Sequence, residues 1–408
     1  MTRASGDRLT DPIMLAGMSL MGLGLPLLAL GRIPLFVALG GGIVLATIAM
    51  LRRDARGLFA AMIARPLIPL LGAAVFVSLL ASAFLSHRPA VTLLKVGDLA
   101  ALFVLLWLAM AIVSRCSPRE AWALVLAFTL GMVAALFHSL GDATACTYNE
   151  HIDDLYKWCV KRGRHRGTAF AVMFPVMVGL VLHWRDRRGL SAWWGTGLVL
   201  IGLMALAVFL SNGRTAWGTL FAGLVFLSAL GIAHGHLRRL WQVWIASGLA
   251  FGGWYLITIS FQARVLVSRG DVTSGDYGAF NGRETSWTEA LRLWQENPVL
   301  GVGVWNYRDL IDHFNHPHGF LPELLSDTGT VGTVLVLTIL VVLALRLWRG
   351  GAAGPLTAGC AAAFASYFVA ASAATSIFYG WWLCVLFGVL ILGAAARRIE
   401  AADDETPA

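Results

Sequence analysis

Charge is scarce in this chain: 13% of its 408 residues are Asp, Glu, Lys or Arg, while 58% are hydrophobic. Soluble domains carry roughly 25% charged and about 45–50% apolar residues. The shortage excludes a water-solvated globular enzyme and makes lipid the solvent of most of the surface. Acids are the scarcer sign, 23 against 31 Lys and Arg, for a net charge of +8.

Other absences narrow the chemistry. There is no GxxxxGK[ST] loop to cradle a nucleotide triphosphate, so no ATP dependence is expected. Gly301 and Gly303 form a GxG that opens no βαβ unit, so no dinucleotide site follows from it. His313, His316 and His318 lie close together, but no Cys and no HExxH arrangement completes a zinc ligand set, and no metal or other cofactor is expected. The first apolar run lacks both the basic start and the small-residue cleavage site of a signal peptide, and is expected to stay as a span. Cysteines number five. Cys146 and Cys159 share one candidate outer loop and are the pair that could close it by a disulfide. Cys116 falls near a cytoplasmic edge, while Cys360 and Cys384 read as small core residues.

What the chain has instead is apolar runs approaching the ~20 residues that cross a bilayer as helix. They fall at about 12–30, 33–51, 66–86, 96–114, 120–140, 168–184, 191–210, 216–234, 240–261, 323–347, 355–375 and 377–396. The expected fold is an all-α polytopic membrane protein of about twelve transmembrane helices, because a helix satisfies its own backbone where no water is available. The basic stretches RRDAR (52–56), RDRR (185–188), HGHLRR (234–239), LWRG (347–350) and ARR (396–398) follow every second span. Basic connections favour the cytoplasm, so both termini are placed there. Residues 1–261 then hold nine spans with an outer loop at about 141–167. A large outer loop covers 262–321, three spans occupy 322–396, and 397–408 is an acidic tail expected to be disordered.

Chemistry is sought in the outer loops. Arg214, in FLSNGRTAWG, sits on a very short outer turn, where arginine is usually avoided. Between two apolar spans, a cation is costly unless it meets water, a carboxylate or an anionic ligand. A planar guanidinium suits phosphate, which makes Arg214 a candidate phosphate clamp. In NGRETSWTEALRLWQENP, Trp287, Ala290, Leu291 and Trp294 recur at helical spacing, and Glu289, Arg292 and Glu296 form another face. The spacing predicts an amphipathic interfacial helix with Asn281 as N-cap, Glu284 three residues on, and Asn297-Pro298 at its end. Arg283 falls in the first turn, where it either pairs with a nearby carboxylate or binds a pyrophosphate. Arg164 and Arg166, in KRGRHRGTAF, are substrate-phosphate candidates or equally a headgroup-facing edge. His316 and His318, in HPHGF, either make structural hydrogen bonds or accept a proton and orient a hydroxyl.

His318, one residue, nine more, then Gly329-Thr-Val-Gly332 resembles the motif of bacterial O-antigen ligases. In that motif, His is followed by Asn, Ser or Gln, nine residues, Gly, two residues and Gly, Thr or Tyr. Gly319 departs from it, so the hydrogen bond of a polar side chain there does not carry over. SNGRTA, NGRETSW and ENPVLGVGVWNY resemble further landmarks of the family, within about 211–332. The resemblance implies a glycosyltransferase at the periplasmic face of the bacterial inner membrane, joining undecaprenyl-pyrophosphate-linked O-antigen to lipid A-core. Its partners would be those two substrates and membrane lipids, with no nucleic acid. His318, Arg214 and Arg283 would be catalytic. Arg214, Arg283, Arg164, Arg166 and His316 would contact substrate.

Alternatives share the donor: an O-antigen polymerase and a protein O-oligosaccharyltransferase. The His-x10-Gly-x-x-Gly run favours the ligase over the polymerase, and the absence of an additional C-terminal domain disfavours the protein-modifying group. A lipid-linked glycan transporter should show intramembrane charges along a path or repeat symmetry. Here the spans are nearly free of acids, apart from Asp98 and Asp327 near predicted outer ends, and no repeat is evident.

Overall fold

A computed structural model describes residues 11–64, 66–148, 153–188, 193–211, 214–234, 240–268, 283–311, 316–350, 354–373 and 376–405. The described residues are helical almost throughout. In chain order they form α1 (Pro12–Gly24), a 3-10 turn (Pro26–Ala29), α2 (Arg32–Ile63), α3 (Leu67–Leu85), α4 (Pro89–Arg115), α5 (Pro118–Tyr148), α6 (Asp153–Arg188) and α7 (Trp194–Leu210). Then come α8 (Arg214–His234), α9 (Leu240–Ser268), α10 (Arg283–Glu296), α11 (Tyr307–Leu310), α12 (Phe320–Gly350), α13 (Pro355–Ala371) and α14 (Gly380–Glu405).

Each of the twelve apolar runs overlaps a helix, the first covering both α1 and the 3-10 turn. Eight described helices are long and apolar enough to cross a membrane, and α1, α7 and α13 are shorter apolar helices. The outside of the bundle carries the hydrocarbon that a soluble protein hides: Ile33, Phe84, Leu130, Ile232 and Leu249 are all well exposed. A continuous apolar surface of this kind is at equilibrium only against lipid.

Several element ends differ from expectation. The basic stretch at 52–56 lies within α2, whose backbone breaks at Asp54 (φ −160°, ψ 68°). Asp54 Oδ1 accepts the Gly57 N–H at 2.8 Å, capping the segment that follows. The backbone of 141–148 and of 153–165 continues α5 and α6 instead of forming an open loop. The side chains of Cys146, Cys159 and Arg164 lie outside the described residues. Cys116, Cys360 and Cys384 are buried free thiols, as expected of core cysteines. The acidic tail, expected to be disordered, extends α14 as far as Glu405. The reason is Glu400, which is fully buried and accepts the Leu356 N–H at 2.8 Å, capping the start of α13.

Two close approaches shape the bundle. Helices α6 and α13 touch backbone to backbone, since a Cβ at Gly179 would stand 2.5 Å from Pro355 O and one at Gly359 2.4 Å from Pro175 O. Small residues permit such contact where no hydrophobic effect drives helices together in lipid. The second approach builds the site. Helix α12 is interrupted at Gly329 (φ 63°, ψ −171°), and the loop 297–306 lies across the break. Val302 N–H donates to Ser326 O at 2.8 Å, Gly303 N–H to Asp327 O at 3.0 Å, and Thr330 N–H to Pro298 O at 2.8 Å. The loop thus satisfies the carbonyls and amides freed by the interruption, as broken helices at membrane depth require.

Gly301 and Gly303 serve this seat, not a nucleotide. A Cβ at Gly301 (φ +70°) would lie 2.5 Å from Gly329 N and 2.6 Å from Ser326 O. Gly301→Ala is expected to destabilise the protein by roughly 2–4 kcal/mol through φ strain and overpacking. A wild-type melting curve for the detergent-purified variant would contradict this account of the seat.

Candidate functional site

Three sequence candidates meet at the end of the bundle that carries α10. Arg214 is the first residue of α8 and is exposed. Its helix end is fixed from below by an aromatic group: Trp217 packs edge to face on Trp254 at 4.5 Å and donates its indole N–H to Phe209 O at 3.3 Å. The preceding turn sits against α6, where a Cβ at Gly167 would stand 2.1 Å from Ser211 Oγ. Arg166, half-buried and next to that glycine, lines a cavity with Pro26, Met132 and Phe170, and the structure does not bring it to Arg214.

Arg283 opens α10 and is half-buried. Burial, and then the charge of Arg214, both act against its protonated form. A guanidinium nonetheless stays charged at any physiological pH, so two cations are held close enough to repel. Neither has a carboxylate partner among the described residues. Such a pair favours an anionic ligand over a further cation. Asn281, the expected N-cap, lies outside the described residues.

Helix α10 buries a different stripe from the one expected. Ser286, Ala290 and Leu293 are its buried residues, while Leu291 is 41% exposed. The helix packs against α12 and against Val302, Tyr307 and Ile311. Its opposite face is as expected: Arg292 bonds Glu289 at 2.9 Å and Glu296 at 2.5 Å.

Ser286 is the hinge pin of the site, and sequence reasoning missed it. Its hydroxyl donates to Pro317 O at 2.7 Å, and its carbonyl accepts the Tyr307 hydroxyl at 3.0 Å. Burial pushes the Tyr307 phenol up, keeping it a donor. One residue beyond Pro317 is His318, and one turn before Ser286 is Arg283, so this single hydroxyl registers the imidazole against the guanidinium. Loss of the bond leaves a buried carbonyl without its donor, at about 1–3 kcal/mol. Ser286→Ala, which removes no substrate contact, is expected to cut turnover roughly tenfold. Unchanged turnover would show that the histidine turn is held by other means.

His318 itself adopts a left-handed backbone (φ 53°). Its N–H donates to His316 Nδ1 at 3.2 Å, and the two rings lie 4.1 Å apart. An accepting Nδ1 requires the neutral Nε2–H tautomer of His316. Burial, and then the charge of Arg283, lower the His318 pKa from 6.5. A neutral imidazole beside the Arg283 cation can accept a proton but resists holding it, which suits a group that orients or briefly deprotonates a hydroxyl.

Gly319 has a local reason. A Cβ there would lie 2.8 Å from Trp287 Nε1, so the indole occupies the space that a polar side chain would need. His313 lies outside the described residues. Among the described residues no group of three His, Cys, Asp or Glu is placed to hold a metal ion.

Two buried carboxylates brace the site. Glu323 and Asp327 stand one turn apart on α12, each 2% exposed. Glu323 accepts the Ile377 N–H at 2.8 Å and the Ser376 hydroxyl. Asp327 accepts the Trp305 N–H at 3.0 Å. Two acids four residues apart inside an apolar run were a legible signal for the pair. Asp98, by contrast, is exposed and paired with Lys95 at 3.1 Å.

Fold and site together define a multi-pass helical membrane protein with a cationic, histidine-bearing site at one end of the bundle. Residues 199–337 match the O-antigen ligase family. The matched segment runs from α7 into α12, and so contains Arg214, Arg283, His316, His318 and both braced carboxylates. It supports the wider group of O-antigen ligases, polymerases and oligosaccharyltransferases, whose members are glycosyltransferase-like enzymes. No curated protein matches the chain.

Proposed function

We propose that this protein is an O-antigen ligase: an inverting, metal-independent glycosyltransferase that moves glycan from undecaprenyl pyrophosphate to lipid A-core at the periplasmic face of the inner membrane. The observation that carries this reading is the juxtaposition of Arg214 and Arg283, without a carboxylate among the described residues, beside the neutral His318. Two cations with no carboxylate partner among the described residues call for an anionic ligand, and a pyrophosphate leaving group supplies it.

In this reading the arginines bind the pyrophosphate and stabilise the charge that collects on it as the anomeric C–O bond breaks. His318 orients the acceptor hydroxyl and takes its proton as the oxygen forms the new bond to the anomeric carbon. Attack opposite the leaving group inverts that carbon, and undecaprenyl pyrophosphate departs. The energy lies in the donor's bond to pyrophosphate, so no nucleotide is consumed.

The test is transfer by purified protein given undecaprenyl-pyrophosphate-linked glycan and O-antigen-free lipid A-core, without nucleotide and with chelator. Glycan on the lipid A-core is the expected product. Lengthening of the polyprenyl-linked chain with a bare core would instead identify a polymerase.

A further inference from the structure

Contacts lead away from His318 in a second direction, through side chains that the transfer chemistry does not use. His316 meets Tyr379 edge to face at 5.8 Å, and Tyr379 meets Trp305 in the same way at 5.0 Å. Trp381 lies nearly parallel to Tyr379 at 6.5 Å. The Arg32 guanidinium, at the start of α2, stands 5.8 Å from the Tyr379 ring and 5.4 Å from that of Trp381. Trp305 and Tyr379 are half-buried and Arg32 is exposed, so part of each is open to a ligand.

Backbone strain and two buried acidic side chains hold these rings in place. Trp305 has a left-handed backbone (φ 77°), rare for a bulky residue, and its N–H is fixed by the Asp327 carboxylate at 3.0 Å. Tyr379 sits on the link between α13 and α14, which the Glu323 carboxylate grips at Ser376 and Ile377. An ordinary packing cluster needs neither a strained tryptophan nor two buried acids to place it.

We propose that Trp305, Tyr379 and Arg32 form the acceptor-glycan subsite, the aromatic rings carrying a sugar ring and Arg32 an anionic substituent of that glycan. The acceptor assignment rests on the glycosyl-transfer reading. Sugar rings present apolar C–H faces with a polar rim, for which an aromatic side chain with a polar tip is the complement. A planar guanidinium fits a phosphate or a carboxylate. The pyrophosphate end is served by Arg214 and Arg283, and the reacting hydroxyl lies at the histidines. The groups beyond the histidines therefore face the molecule that brings the hydroxyl.

The test separates binding from turnover. Detergent-purified protein carrying His318→Ala is titrated with O-antigen-free lipid A-core, untreated or phosphatase-treated, and acceptor and donor KM are measured in the background that retains His318. Tyr379→Ala is expected to weaken binding of both glycolipids about tenfold and to raise acceptor KM with donor KM unchanged, while Tyr379→Phe keeps wild-type values. Arg32→Gln, on the surface and harmless to folding, is expected to weaken the untreated glycolipid by a similar factor. Loss of that effect after phosphatase identifies the anion as phosphate, and its persistence identifies a carboxylate. Acceptor binding unchanged in both Tyr379→Ala and Arg32→Gln, or a donor KM rising in step with the acceptor KM, overturns the subsite. Protein that binds the glycolipid through these residues but transfers nothing overturns the ligase reading instead.

Discussion

His318→Ala is expected to lower glycan transfer by about 10²–10⁴-fold, the usual worth of a positioned general base. Protein abundance and donor binding should remain, because among the described residues the imidazole packs on the His316 ring and the hydrogen bond to that ring is made by the His318 backbone N–H. The pH profile is the sharper measurement. Transfer needs the neutral imidazole, so the rate falls as pH drops through the folded-state pKa. Burial and Arg283 lower that pKa from 6.5, which places the acid limb of kcat/KM below 6.5. An acid limb above that value would mean that the imidazolium form is favoured in the site, and the base role would fail.

Arg283→Ala is the second large effect, an expected loss of about 10²–10³ in kcat, comparable to removal of one preorganised donor to a developing anion. It also carries a signature that a structural role would lack. Removing this charge relieves part of the pressure on the His318 imidazolium, so the residual activity should show its acid limb moved to higher pH. Arg283→Lys keeps the charge without the planar fork and should fall between the two. Arg214→Ala is expected to abolish transfer at unchanged abundance, and normal transfer would remove it from the mechanism. If Arg283→Ala slowed transfer while leaving the acid limb in place, the two side chains would not share one site.

The candidate residues were conspicuous in the sequence because lipid punishes misplaced charge. An arginine on a short turn between apolar spans, as at Arg214, is conspicuous against so apolar a background, and a histidine beside Pro and Gly at a span entrance nearly as much. Helix α10 was legible as a helix from its periodicity, yet its buried stripe was not, since Ser286 is polar by composition and buried by its bonds to Pro317 and Tyr307. Gly301 and Gly303 looked like a weak phosphate-loop signal. Their role could not be read locally: Gly301 approaches the backbone of α12, more than twenty residues on, while Gly303 approaches Ser86 and Thr92 and donates its N–H to Asp327 O.

Composition and period, then, determined by themselves that this is a polytopic helical membrane protein, where its spans lie, and which cations and histidines stand at their ends. Those properties follow from the cost of putting each residue type in hydrocarbon, which is paid residue by residue. Only the tertiary structure decided that Arg214 and His318 both come within electrostatic reach of Arg283, that α12 breaks at Gly329 to seat a loop, and that Glu323 and Asp327 hold Tyr379 and Trp305 beside the histidines. Those are contacts between segments distant in the chain, set by helix packing and by where freed backbone groups find partners, and no local pattern encodes them.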